Sequence, residues 1–142
     1  IYGAPLELDY EASLKFWTEL RRLSVVTDKA SVLWRISTSP KNAAKLVAAI
    51  RKHMTAEAYY DWSGGLIWLE VPATADAGAS DIRRAVAVHG GHATLIRADT
   101  DIRASVEVFQ PQTPVLERIT RNLKSAFDPQ GLLNPGRMYA GI

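Results

Sequence analysis

The sequence predicts an α+β fold of the ferredoxin-like (split βαβ) type, an antiparallel sheet with helices on one face and flanking N- and C-terminal helices. Three observations predict it. Between residues 31 and 97 the patterns run strand, helix, strand, strand, helix, strand. A short glycine-containing link joins the two middle strands, and each helical segment has one apolar side. At 142 residues the chain suits one domain with a sizeable core.

Composition and charge exclude several classes of function. Net charge is only +2 and lysines and arginines never run beyond two in a row, so binding of nucleic acid has little support. The absence of cysteine excludes disulfides, thiolate metal sites and cysteine nucleophiles. No apolar run approaches the roughly 18 residues that a membrane span needs.

The first helix is predicted at residues 9–23. Asp9 is a suitable N-cap. Apolar side chains follow at helical spacing, at Leu14, Trp17, Leu20 and Leu23. Because the chain starts at Ile1 rather than Met, we expect a piece of a longer polypeptide with a missing part upstream.

The next elements form the first strand–helix unit. Residues 31–38 alternate and are rich in β-branched and aromatic types, which predicts a strand. A helix is predicted at 40–53, with Pro40 in the first turn, where its fixed φ is favourable. Strands at 55–62 and 66–71 then form a hairpin through the linking Ser-Gly-Gly.

The second half repeats the pattern after a loop of small residues at 72–80, which we expect to be flexible. A helix is predicted at 81–89 and ends at Gly90-Gly91, because glycine is favoured after a helix C-terminus. The remaining predicted elements are strands at 92–97 and 103–109 and an amphipathic helix at 113–127.

Alternation along the strands predicts what the uncovered sheet face presents. Arg35 and Trp68 are expected to share this face, and Leu95 and Arg97 would join them, depending on the register of the fourth strand. Tryptophan beside a guanidinium is typical of interfaces and binding-site walls. Alternatively, Arg35 and Arg97 are strand-end charges that reach solvent along their stems.

The stretch HGGHATL contains His89 and His92 around two glycines. A metal site would need a third ligand, and none stands at a recognised spacing, so we expect no metal. His92 could instead point into a cleft as a hydrogen-bond donor or proton carrier. The simplest interpretation is a half-buried His89 that ends a helix and a hydrogen-bonded His92.

The end of the chain carries the most specific motif. FDPQGLLNPGRM, residues 127–138, resembles the C-terminal signature of FAD-linked oxidases of the vanillyl-alcohol-oxidase (PCMH) type, K-x-x-F-D-P-x-G-x-x-N-P-G-[KR], here beginning at Lys124. Together with LWRIS, DWSGGLIWL and GGHATLIR, the pattern is similar to the smaller FAD-linked subunit of bacterial glycolate oxidases. The resemblance covers roughly residues 31–139.

The resemblance implies a two-domain flavoprotein, in which an N-terminal domain binds most of the FAD and a cap domain covers the flavin ring. Residues 1–142 would be this single cap domain, residues 1–30 the lead helix from the FAD domain, and residues 127–139 a tail that returns to it. The expected cofactor-binding residues are Trp68 on the sheet and, in the tail, Asn134, Pro135, Gly136 and Arg137.

The resemblance also implies an oxidoreductase that acts on a 2-hydroxy acid such as glycolate, beside sister subunits, and that is cytoplasmic or associated with the membrane through a complex. Arg35 or Arg97 would bind the carboxylate, because a guanidinium matches it bidentately, and His92 would act as base. The Glu-His dipeptide and metal-binding histidine pair of better-studied 2-hydroxy-acid dehydrogenases have no match here, so direct catalysis stays open. The alternative is a non-catalytic ferredoxin-like module that docks a partner subunit.

Overall fold

The computed structural model of the chain describes residues 7–22 and 31–142. Its element order confirms the predicted pattern in the middle of the chain. The elements are α1 (Tyr10–Arg21), β1 (Val32–Ser37), α2 (Pro40–Arg51), β2 (Glu57–Asp61), a 3-10 turn (Trp62–Gly64), β3 (Leu66–Val71), α3 (Ala79–His89), β4 (His92–Arg97), α4 (Thr100–Ser105) and α5 (Pro114–Phe127).

The four strands form one sheet in the order β2-β3-β1-β4, and each neighbouring pair is antiparallel. The helices α2 and α3 contact each other, and their apolar sides contribute buried residues to one core with the sheet. The strand order and the helices on one face confirm the ferredoxin-like prediction.

The core lies between the sheet and these two helices, and Trp34 is its largest fully buried side chain. The indole nitrogen of Trp34 donates a hydrogen bond of 2.8 Å to the carbonyl of Ala77. The guanidinium of Arg83 lies 5.7 Å from the centre of the Trp34 ring and donates to the carbonyl of Phe109 at 3.0 Å. Trp34 therefore links the central strand to the loop before α3.

The predicted helix ends differ from the observed ones by one or two residues; α2, for example, ends at Arg51 rather than at residue 53. Helix α1 begins after Asp9, and the carboxylate of Asp9 accepts from the backbone N–H of Ala12 at 2.8 Å, which confirms the predicted N-cap. Leu23, the last residue of the predicted helix, and residues 1–6 lie outside the described residues. Helix α3 begins at Ala79 rather than at residue 81. The carboxylate of Asp76 accepts from the N–H groups of Gly78 and Ser80, so the preceding loop is a hydrogen-bonded turn.

The predicted fifth strand at 103–109 is wrong. Most of its first half belongs to α4, and the segment after α4 makes one backbone bond to the sheet edge, from the N–H of Leu95 to the carbonyl of Val108 at 2.8 Å. A strand needs a ladder of such bonds. Residues 103–105, which would have formed the first part of the strand, belong to the helix α4 instead. The β-branched and aromatic composition of this segment therefore does not produce a strand.

Among residues 7–22 and 31–142, no helix has the length and apolar character that crossing a bilayer requires.

Candidate functional site

The sheet face turned away from α2 and α3 carries one row of side chains across all four strands. Tyr59 of β2 is paired with Trp68 of β3, Trp68 with Arg35 of β1, and Arg35 with Thr94 of β4. Arg35 is exposed and the other three are half-buried. We call these four residues the open-face row. It places Arg35 and Trp68 on the same face, as the alternation predicts.

His92 lies on the same face, next to the open-face row. It is paired with Ser37, two residues along β1 from Arg35, and its side chain is exposed. Diagonal neighbours across an antiparallel pair have Cβ atoms within roughly 7–8 Å. A small molecule on this face could therefore contact both the Arg35 guanidinium and the His92 imidazole.

The other two residues expected from β4 are not in this position. The expectation that Leu95 lies on the open face is wrong, because its side chain is 1% exposed and belongs to the helix-side core. The register shifts between Leu33 and Trp34, so Arg97 is paired with Leu33. Its guanidinium donates to the carbonyl and the hydroxyl of Ser31, at 3.2 and 3.3 Å. Arg97 thus lies at the opposite end of β4 from His92.

The HGGH stretch is explained by packing at the end of α3. The carbonyl of His89 accepts from the side-chain amide of Asn42, and that of Gly90 from the hydroxyl of Thr38, both at 2.7 Å. Gly91 has φ +120°, and a Cβ there would lie 2.2 Å from the carbonyl oxygen of Ser37. The second glycine is therefore required by a close backbone approach.

In the described parts of the chain, no group of three or more histidine, aspartate or glutamate side chains comes close enough to hold a metal ion.

The tail after α5 is organised by one carboxylate. Asp128 is 9% exposed and accepts from the backbone N–H groups of Leu132 and Leu133, at 2.9 and 2.8 Å. It also accepts from the ammonium of Lys124 at 2.6 Å. The hydrogen bond from Lys124, followed by those from Leu133 and Leu132, lowers the pKa of Asp128 from 3.8 to about 2.

The rest of the tail folds back on the chain. Asn134 has φ +47° and Gly136 has φ +68°, and the N–H of Gly136 donates to the carbonyl of Ile142 at 2.7 Å. The hydroxyl of Tyr139 donates to the carbonyl of Gln110 at 3.3 Å. The expected cofactor residues of the tail, Asn134, Pro135, Gly136 and Arg137, are all exposed.

Between α5 and the tail lies an open groove of about 520 Å³. Its lining is mainly apolar, with polar atoms from the tail and from the last turns of α5. The lining includes Leu123, Phe127, Leu133, Asn134, Arg137 and Met138. The structure therefore brings Asn134 and Arg137 together at one groove, while Trp68, Arg35 and His92 lie on the sheet.

The two terminal helices present apolar faces to solvent, which the sequence did not predict. The apolar face of α5 is 53–57% exposed at Val115, Leu116, Ile119 and Leu123. On α1, Leu14, Phe16 and Trp17 are also exposed. An amphipathic helix normally buries its apolar stripe, and a contiguous exposed patch marks an interaction site.

The comparison with known proteins identifies a relative. The chain is 34% identical over 133 residues to the glycolate oxidase subunit GlcE of Escherichia coli (strain K12), a match that covers 93% of this chain. The resemblance to a glycolate oxidase subunit is confirmed. The chain spans about a third of the length of GlcE, since the match covers 33% of that protein. No protein-family model matches the chain, and no solved structure is significantly similar to it.

The match to GlcE extends over most of this chain.

Proposed function

We propose that this chain is the substrate-side cap domain of an FAD-dependent oxidoreductase for a 2-hydroxy acid such as glycolate. The observation that carries the proposal is the match to GlcE over 93% of the chain. The open-face row supports it, because it offers an exposed guanidinium between two side chains of the same face, Trp68 and Thr94.

Arg35 is the proposed carboxylate ligand. A guanidinium presents parallel N–H donors that match the two oxygens of a carboxylate, and Arg35 is exposed on the sheet face. The alternative, Arg97, already donates to Ser31 through its guanidinium. Arg35 is therefore the better of the two candidates.

His92 is the proposed base for the substrate hydroxyl. An imidazole changes protonation near neutral pH, which suits a group that accepts a proton during a reaction. Its position, diagonal to Arg35 on the same face, lets one short 2-hydroxy acid reach both side chains.

The chain's residues fit an FAD ring held largely by another domain. The half-buried indole of Trp68 offers an apolar plane on the sheet, and the exposed tail turn of Asn134, Pro135, Gly136 and Arg137 offers backbone and guanidinium donors. The chemistry that FAD would supply when bound is that of a hydride acceptor for the substrate α-carbon. Trp68 and the tail residues would hold and orient it.

The exposed apolar face of α5 is the proposed contact with an FAD-binding domain outside this chain. Its four large aliphatic side chains would be buried by a partner with a complementary apolar surface. Sister subunits of a glycolate oxidase are the further proposed partners, since the relative is itself a subunit.

The test uses the full-length protein and a version that starts at Ile1. We expect the full-length protein to bind FAD, seen as flavin absorbance, and glycolate to bleach that absorbance under anaerobic conditions. The shorter version should carry no stoichiometric flavin. A flavin-loaded short version, or a flavin-free full-length protein, would contradict the cap assignment.

A non-catalytic assembly module is the second candidate, and the exposed face of α5 favours it. This candidate predicts that glycolate leaves the flavin of the isolated subunit oxidised. It also predicts that Arg35→Ala has no effect on turnover by the assembled oxidase.

A further inference from the structure

We propose that Lys124 and Asp128 form a latch that holds the tail in the conformation presenting Asn134 and Arg137, and that Asp128 is a positioning residue for cofactor binding. The latch is the set of bonds among Lys124, Asp128, Leu132 and Leu133. Its role toward the cofactor rests on the proposed function, whereas the latch itself rests on geometry alone.

The carboxylate of Asp128 uses both oxygens to hold the tail. Oδ1 accepts from the N–H of Leu132, and Oδ2 accepts from the N–H of Leu133 and from the ammonium of Lys124. The same ammonium also donates to the carbonyl of Leu133. Both backbone polar groups of Leu133 are therefore fixed to the C-terminal end of α5.

Lys124 is well placed for this role. It lies in the last turn of α5, where the exposed carbonyls favour a positive charge. It is four residues before Asp128, and its side chain is only 24% exposed. A partly buried ion pair with added hydrogen bonds orders its surroundings more than an exposed pair does.

Hydrophobic burial does little to hold this part of the tail. Leu132 and Leu133 are 72% and 64% exposed. Polar bonds must therefore determine the path of the chain from Pro129 to Leu133. The latch supplies them at the two residues immediately before Asn134.

The backbone conformation of Asn134 depends on how the chain enters the turn at residues 134–137. Its φ of +47° is a left-handed conformation, which a non-glycine residue keeps only where its surroundings determine it. The N–H of Arg137 then donates to the carbonyl of Asn134 at 3.3 Å and closes the turn. Releasing Leu132 and Leu133 would free this turn and with it the position of the Arg137 guanidinium.

A preformed tail binds its ligand more tightly because less conformational entropy is lost on binding. Loss of the latch should therefore weaken FAD binding while the sheet and its core stay folded, since the core is formed by β1–β4 with α2 and α3.

The experiment compares Asp128→Asn and Lys124→Met with the matched control Asp81→Asn. The control removes a carboxylate that also pairs with a nearby cation, Arg84, but on α3. Amide hydrogen exchange at residues 132 and 133 is measured in each variant, and the dissociation constant of FAD is measured in the full-length protein. Lys124→Arg serves as the conservative rescue.

We expect exchange at residues 132 and 133 to rise about tenfold in both latch variants, which corresponds to losing a hydrogen bond to a charged group. The FAD dissociation constant should rise by a similar factor, about tenfold. Asp81→Asn should change neither quantity, exchange in β1 should be unchanged throughout, and Lys124→Arg should stay near wild type.

Unchanged exchange in both latch variants would overturn the latch. Raised exchange with an unchanged FAD dissociation constant would overturn the positioning role and leave the proposed function standing. A wild-type full-length protein that takes up no FAD would overturn the proposed function and the positioning role together, whereas the exchange data would still decide the latch.

Discussion

Arg35 of β1 lies directly opposite Trp68 of β3, on the sheet face away from α2 and α3. The pairing follows from antiparallel register, in which residues opposite each other project to the same side. An exposed cation thus lies opposite a half-buried indole on the two central strands of the sheet. The first prediction tests whether this cation binds substrate.

Arg35→Ala in the full-length protein should lower kcat/KM for glycolate about 10- to 100-fold, because a charge-assisted contact to the substrate carboxylate is lost. The free energy of unfolding should change by less than about 0.5 kcal/mol, because the side chain is exposed. Steady-state kinetics and urea denaturation measure the two quantities. Arg84→Ala, an exposed arginine on α3, is the control, and equal kcat/KM in both variants would remove the assignment.

Gly91→Ala should destabilise the chain by about 2–5 kcal/mol, because the new methyl group collides with a backbone carbonyl and φ is positive. The collision is with the oxygen of Ser37, 2.2 Å from the ideal Cβ position. Gly90→Ala is the matched control: nothing lies within 4 Å of its ideal Cβ position, so only the strain of its positive φ of +82° is expected, about 1–3 kcal/mol. Equal losses in urea denaturation would contradict the close-approach explanation.

Trp34→Phe should cost about 2–4 kcal/mol, because it leaves a small cavity and removes the donor to the buried carbonyl of Ala77. Trp68→Phe, on the open face, should cost less than about 1 kcal/mol, because that side chain is only half-buried. Chemical denaturation of both variants checks the difference, and a larger loss at Trp68 would be inconsistent with this sheet orientation.

The pH dependence of the free energy of unfolding should include a contribution from the ionised carboxylate of Asp128. Its folded-state pKa is about 2, below the ordinary 3.8, so its contribution is present above about pH 4 and is lost as the pH falls toward about 2. The difference in unfolding temperature between wild type and Asp128→Asn should therefore shrink over this interval. A direct NMR titration of the Asp128 carboxyl carbon should have its midpoint near pH 2; a midpoint at an ordinary value would contradict the latch geometry.

Some acid sensitivity should persist in Asp128→Asn because of Asp76. Burial alone would raise the pKa of Asp76, but hydrogen bonds from Gly78, Ser80 and Thr74 outweigh it and lower the pKa. By the same sign argument, its stabilisation is lost on acidification. Asp76→Asn is the variant that separates this contribution.

Ile119→Lys should leave the stability of the chain within about 0.5 kcal/mol, because Ile119 is 55% exposed on the apolar face of α5. In the full-length protein the same change should lower FAD content, since a charge would be buried at the proposed domain contact. Ser125→Lys, at an exposed position on the other side of α5, is the control. Unaltered FAD content in Ile119→Lys would exclude α5 as the contact.

The sequence alone determined the order of elements from β1 to β4, because a strand's period of two and a helix's 3.6 are properties of the local backbone. For the same reason the alternation in two strands placed Arg35 and Trp68 on one face. The tail motif was also readable, since it is contiguous in sequence and resembles a known signature. The relationship to GlcE bears out that resemblance.

Only the tertiary structure decided features that depend on contacts between distant residues. Leu95 is paired with Trp34 and therefore faces the core, and the register shift beyond this pair places Arg97 opposite Leu33. A helical turn replaced the expected fifth strand, and the apolar side of α5 remained exposed. The tail's prolines and glycines were visible in the sequence, but the carboxylate of Asp128 that orders them was identified only by its three donors in space.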